Sequence, residues 1–166
     1  ENLFYGAYER TRSFFENSEL AATGLPSEAE LAVLEPYREQ LPERVFSEAY
    51  EPPSTEGGSL RRNLRKALAL LNEAGWQVED GVLTNTETGR PMAFEILLVS
   101  PSFERVVLPF KRNLERLGIE VTVRTVDPTQ YQNRMDEFDF DMTVHVAPQS
   151  LSPGNEQRDF WSCGAA

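Results

Sequence analysis

Between Leu60 and Val146 the hydrophobic residues switch repeatedly between helical and strand spacing, and that alternation limits the possible folds more than any other feature. In SLRRNLRKALALLNEAGW, Leu60, Leu64, Leu68 and Leu71 recur every three or four residues while Arg61, Arg62, Arg65 and Lys66 fall elsewhere. A helix buries those leucines on one face and leaves the charges in water. MAFEILLVS follows, and its apolar run Ile96 to Val99 suits a strand covered on both faces. FERVVLPFKRNLERLGI returns to helical spacing, and IEVTVRTV alternates and is rich in β-branched residues. Pro128 to about Glu137 reads as a short helix and FDMTVHV as a third strand. Strand, helix, strand, helix, strand implies right-handed crossovers and a mainly parallel sheet flanked by helices, an α/β unit.

Local signals punctuate this order. Gly75 and Gly118 stand where a helix stops in the left-handed conformation, with Trp76 expected against Leu71 and Ile119 against Leu114. Pro109 predicts a kink or a later helix start. WQVEDGVLTN reads as a hairpin turning at Asp80 and Gly81, followed by a turn from Thr86 to Pro91. Upstream, SEAELAVLEPYREQ carries a short helix with Ser27 as its cap and Pro36 as its end or kink. From Leu41 to Gly58, Pro42, Pro52, Pro53, Gly57 and Gly58 leave no room for a long regular element. That segment reads as a surface loop suited to wrapping another part of a larger protein. The expected organisation is therefore an irregular and helical segment, residues 1–58, leading into an α/β lobe, residues 59–166. Aromatic residues crowd both ends, in ENLFYGAY and RDFWSCGAA, whereas free termini are usually polar. Together the two parts are expected to form one partial domain of a longer polypeptide.

Charge and cysteine usage narrow the function. The 27 acidic and 16 basic residues give a formal net charge of −11, which repels nucleic-acid backbones and anionic membrane surfaces. Residues 1–58 hold 12 acidic and 4 basic side chains, so the excess is concentrated there. Cys163 is the only cysteine and has no zinc-ligand spacing around it. No apolar run has the length of a membrane span. No G-x-S-x-G surrounds a serine, and no glycine-rich phosphate cradle follows a strand. No enzyme, cofactor or metal is expected on these grounds.

DEFDFDMTVHVAPQS sets acidic residues ahead of His145, the only histidine. On a strand, Asp139, Asp141, Thr143 and His145 share one face, but Asp141 and His145 are then too far apart to share an ion unaided. A solvated or hydrogen-bonded strand face is the favoured reading, and a metal-dependent hydrolase using Asp141 and His145 is its rival. Open α/β sheets bind ligands at the carboxyl ends of their strands. Two loops fall there: SPSFE, from Ser100 to Glu104, and APQSLSPGN, from Ala147 to Asn155. In the first, Ser100 or Ser102 either caps a helix or accompanies free amides that favour an anionic or carbonyl group. Tyr5, Tyr8, Phe14 and Phe15 read as core before ligand contact. Arg10 and Arg12 read either as surface charges or as partners of a carboxylate.

LFYGAYERTRSFFENSELAATGLPSEAELAVLEPYR, ALALLNEAGW, the run from Phe94 ending NLERLGIEV, YQNR from Tyr131 to Arg134, and FDFDMTV together resemble the family 5 extracellular solute-binding proteins of bacterial ABC transporters. Within that dipeptide, oligopeptide and nickel-binding family, the likeness is to the murein-peptide and microcin-type peptide binders. The resemblance implies one lobe of a two-lobed periplasmic-binding-protein clamp, exported to the periplasm with its leader absent from this sequence. It also implies an oligopeptide or peptide-like solute, a membrane permease, and a missing N-terminal lobe of the same chain as partners. Ligand contacts are expected from Ser102, Phe103, His145, Ala147, Pro148, Gln149, Ser150 and Leu151. The aspartate that oligopeptide binders of the family place in the last loop is matched here by Ser150. That departure removes a charged anchor for a free amino terminus and favours a modified or longer peptide, or another solute.

Overall fold

The apolar run beginning at Ala93 forms the central strand of a three-stranded sheet. The computed structural model describes residues 7, 10–16, 18–55, 59–148 and 150–164. Tyr5, Tyr8, Gly57, Gly58 and Gln149 lie outside the described residues. In chain order the strands are β1 (Trp76–Glu79), β2 (Val82–Asn85), β3 (Ala93–Leu98), β4 (Glu120–Thr125) and β5 (Met142–Thr143). The helices are α1 (Glu28–Leu34), α2 (Arg44–Ser47), α3 (Leu60–Glu73), α4 (Glu104–Glu115), α5 (Pro128–Asp136) and α6 (Glu156–Trp161). The chain divides into two compact units, one built on Ser54–His145 and the other on Gly6–Pro53 with Val146–Ala166.

In the first unit the order β4-β3-β5 is parallel throughout, with Ala93 opposite Glu120 and Leu98 opposite Thr125. α4 joins β3 to β4 and α5 leads to β5, so the strand–helix alternation read from the sequence is the architecture. Ile96, Leu98 and Val121 are buried together with Leu83, Val107, Leu117 and Ile119. Leu64, Leu68, Leu71 and Trp76 pack against that cluster, which places the apolar stripe of α3 on the core. Val99 departs from the expectation. It lies beyond the end of β3 and is 40% exposed, so the doubly covered run is Ile96–Leu98.

Both glycine stops form. Gly118 (φ +82°) closes α4 in a Schellman motif, with the Ile119 amide bonded to the Leu114 carbonyl at 3.3 Å and the Gly118 amide to Glu115 at 3.0 Å. At the end of α3, Gly75 has the same backbone sign and its amide bonds to Asn72 at 3.0 Å. α4 starts before Pro109, directly after a 3₁₀ turn at Pro101–Phe103, so the proline does not delay the helix. β1 and β2 pair antiparallel across Asp80 and Gly81, both at positive φ, as a type I′ turn requires. Asn85 then organises the following turn by accepting the amides of Glu87 and Thr88.

β5 is much shorter than FDMTVHV predicts. Only Met142 and Thr143 pair with β3, because main-chain groups of β3 on either side are taken by side chains. The Glu95 amide donates to the Asp141 carboxylate at 2.8 Å, and the Thr143 hydroxyl donates to the Leu97 carbonyl at 3.0 Å.

In the second unit, Ser27 caps α1 through a reciprocal capping box with Glu30. α1 ends at Leu34, two residues before Pro36, as expected, and the chain continues as a 3₁₀ segment, Glu35–Gln40. α2 interrupts the expected loop, and the Arg38 guanidinium lies 3.9 Å from the Phe46 ring centroid. Phe14 sits edge-on to Phe15 and to Trp161. Arg12 meets Glu51 at 3.6 Å with both side chains exposed, and the Arg10 guanidinium donates to the Pro53 carbonyl.

Candidate functional site

Parallel strands deliver their loops to one edge of the sheet, and here that edge carries Ser100–Glu104 after β3, Val126 after β4, and Val144 with His145 after β5. The Ser100 hydroxyl accepts the Ser102 amide at 3.3 Å and lies 2.8 Å from the Ser102 hydroxyl. Capping of the short 3₁₀ turn therefore occupies both serines. Phe103 is 40% exposed beside them in the chain, and Glu104, at the first turn of α4, accepts a 2.6 Å bond from the Thr125 hydroxyl. That bond ties the loop after β3 to the end of β4. His145 is exposed.

Asp139 and Asp141, ahead of His145, have structural partners. Asp141 holds the Glu95 amide, and Asp139 receives Arg134 Nε at 2.9 Å on its carboxylate and again on its carbonyl. Arg134 Nη1 also bonds Glu95 Oε1 at 2.8 Å, while Arg124 Nε bonds Glu95 Oε2 at 2.7 Å. The hydrogen bond that Arg134 donates to Glu95 is the leading cause that raises the Arg134 pKa above the ordinary arginine value. Tyr131 places its hydroxyl 2.9 Å from that of Thr143. Sequence reading did not find this network. Its one signal was Glu95 itself, a single charge within an apolar strand that has to be paired where it is shielded from water.

Asp141 discriminates between two chemistries. As a hydrogen-bond acceptor it is replaceable by asparagine, so Asp141→Asn is expected to leave stability unchanged within about 0.5 kcal/mol, whereas Asp141→Ala costs about 1 kcal/mol by orphaning the Glu95 amide. Urea unfolding of the two variants reads the difference. Equal losses would show that the carboxylate's charge, not its acceptor oxygen, is what the site needs. Among the described residues, no group of three or more His, Cys, Asp or Glu side chains is placed to hold a metal ion.

In the second unit, Ala147, Pro148, Ser150 and Leu151 are exposed in irregular backbone, Leu151 by 79%. The Ser150 hydroxyl donates to the Ser152 carbonyl at 2.6 Å and to Glu156 Oε1 at 3.3 Å. The Gly154 amide, bonded to the same oxygen at 2.8 Å, is the first cause holding the Glu156 carboxyl below its ordinary pKa. The neutral serine is thus bonded to a carboxylate at the start of α6. Gln149 lies outside the described residues. Among the described residues, no helix is long and apolar enough to cross a membrane.

A parallel β4-β3-β5 sheet, with helices between its strands and loops gathered at their carboxyl ends, is the architecture of the periplasmic-binding-protein fold. An oligopeptide-binding protein, AppA of Bacillus subtilis, solved in complex with a nonapeptide, superposes on 57% of this chain and 19% of its own, with a TM-score of 0.50 and 28% identity. A periplasmic oligopeptide-binding protein of Thermotoga maritima, solved with mannohexaose, covers 93% of this chain and 25% of its own at a TM-score of 0.50, and at 15% identity it shows the fold alone. Over residues 1–165 the sequence matches the bacterial extracellular solute-binding proteins, family 5 Middle, and the chain belongs to that family. An uncharacterized protein, y4wM, of Sinorhizobium fredii is 52% identical over 99% of this chain and 25% of its own. A probable peptide-binding protein, YejA, of Agrobacterium fabrum is 43% identical over 99% of this chain and 27% of its own. The chain thus spans about a quarter of the length of the curated relatives it matches.

Proposed function

We propose that this chain is part of the solute-binding component of a bacterial ABC importer, which captures a peptide-like solute in the periplasm and delivers it to a membrane permease without covalent chemistry. The observation that carries the reading is family membership over nearly the whole chain, combined with a sheet whose strand ends gather loops at one edge. The named relative YejA of Agrobacterium fabrum and the nonapeptide complex of AppA support peptide as the solute class. Ser102, Phe103 and His145 are the contacts proposed from the sheet unit. Phe103 offers an exposed aromatic face, and His145 an exposed imidazole, to a ligand with mixed polar and apolar groups. For Ala147, Pro148, Gln149, Ser150 and Leu151 the proposal rests on the resemblance alone. Because Ser150 carries no charge, the solute proposed is a peptide whose amino terminus is blocked or held elsewhere. Binding proteins of two lobes act by hinge closure around the ligand.

Native mass spectrometry of the full-length protein purified from its own host, followed by release and sequencing of any small molecule, tests this. A co-purifying peptide is the expected result, and its sequencing shows whether its amino terminus is blocked. A stoichiometric metal with no organic ligand would overturn the reading and return attention to Asp141 and His145.

A further inference from the structure

β5 contributes two residues to the sheet, and a two-residue edge strand has too few main-chain bonds to stay in place by itself. What surrounds it is a chain of side-chain bonds that crosses the unit. Arg124 on β4 bonds one oxygen of Glu95 on β3, and Arg134 on α5 bonds the other. From there Arg134 Nε reaches both the carboxylate and the carbonyl of Asp139, three residues before β5, while its own carbonyl accepts the Asp139 amide at 2.8 Å. The Arg134 and Glu95 side chains are each 18% exposed, against 67% for Asp139, so the junction lies where water screens it least. A guanidinium can bond two partners at once through separate, rigidly spaced N–H groups, which a lysine ammonium on a flexible stem cannot reproduce.

We infer that Arg134 is a positioning residue for solute binding, which clasps the approach to β5 onto β3 and so fixes the direction in which the chain leaves the sheet at Val144 and His145. The inference rests on the proposed function, since it assigns Arg134 to the support of that site. Arg124 supplies the internal control, because it shares Glu95 but does not touch the approach to β5.

The test uses full-length protein carrying Arg134→Met, Arg134→Lys or Arg124→Met. Amide hydrogen exchange is compared with occupancy by an equimolar library of N-acetylated and free-amine octapeptides, read by native mass spectrometry. In both Arg134 variants, exchange across residues 139–145 is expected to rise at least about tenfold while Ile96–Leu98 stay protected, and library occupancy falls by about tenfold. Arg124→Met is expected to hold occupancy within about 1.5-fold of wild type. Should the Arg134 variants fail to fold, Asp139→Asn at its exposed position weakens one arm and gives the same pattern at about threefold amplitude. Faster exchange with unchanged occupancy would overturn the inference by reducing the clasp to a structural role. Unchanged exchange would overturn it by showing that β5 is held without Arg134. A wild-type protein that takes up no octapeptide removes the peptide reading and the inference together, and is told apart because it appears before any substitution.

Discussion

Gly118→Ala is expected to destabilise the sheet unit by roughly 2–5 kcal/mol, combining left-handed backbone strain with steric overlap. Gly118 has φ +82°, which an alanine adopts only at a cost. The larger part comes from what the residue approaches. A Cβ at this position would lie 2.7 Å from the Leu83 nitrogen and 2.9 Å from the Gly81 oxygen, both main-chain atoms that cannot rotate away. The Gly118 carbonyl also accepts the Leu83 amide at 2.8 Å, so the same displacement breaks the bond that docks the β1–β2 hairpin beside the end of α4. Leu83, fully buried, would move with it. Gly89→Ala is the matched control, since Gly89 has φ +67° but nothing within 4 Å of an added Cβ. Its cost should stay near the backbone strain alone, about 1–2 kcal/mol. Chemical denaturation of the two variants separates the terms. Equal losses would mean that Gly118 serves its turn only, and not the close approach of the hairpin.

What could be read from the sequence was whatever is decided locally. Gly75 and Gly118 announced helix stops because only glycine takes the left-handed position cheaply, and Asp80-Gly81 announced a hairpin for the same reason. The stop after α5 carried no such mark. There Phe138 occupies the left-handed position at φ +55°, 83% exposed, with its amide bonded to Met135 and the Asp139 amide to Arg134, a complete Schellman arrangement built on an aromatic residue. The length of β5 was equally hidden, since alternation in FDMTVHV extends past Thr143 while the bonds that limit the strand come from residues 46 positions away. The same applies to the site. Its loops followed from strand order, and serine capping was one reading of SPSFE, but the engagement of Glu104 with Thr125 and of Asp139 with Arg134 depends on side-chain geometry that spacing does not encode.

The apolar run of β3 gives the second large effect, because the sequence treats its members alike and the fold does not. Ile96 is 2% exposed and belongs to the cluster formed with Leu83, Val107 and Val121, so Ile96→Ala removes three carbons from a packed interior and is expected to cost about 2–5 kcal/mol. Val99, three positions on, has left the strand and is 40% exposed. Val99→Ala should change stability by no more than about 0.5 kcal/mol. The contrast bears on function as well as on folding. Ile96 pairs with Met142, so a cavity beneath it loosens the ladder that seats β5, whereas Val99 opens the loop that leads to Ser102 and Phe103. Denaturation midpoints and amide exchange at Met142–Thr143, measured on both variants, are expected to move together for Ile96→Ala and to stay put for Val99→Ala. A large loss at Val99 would mean that the loop after β3 is part of the core, and its residues would then be poor candidates for meeting a solute.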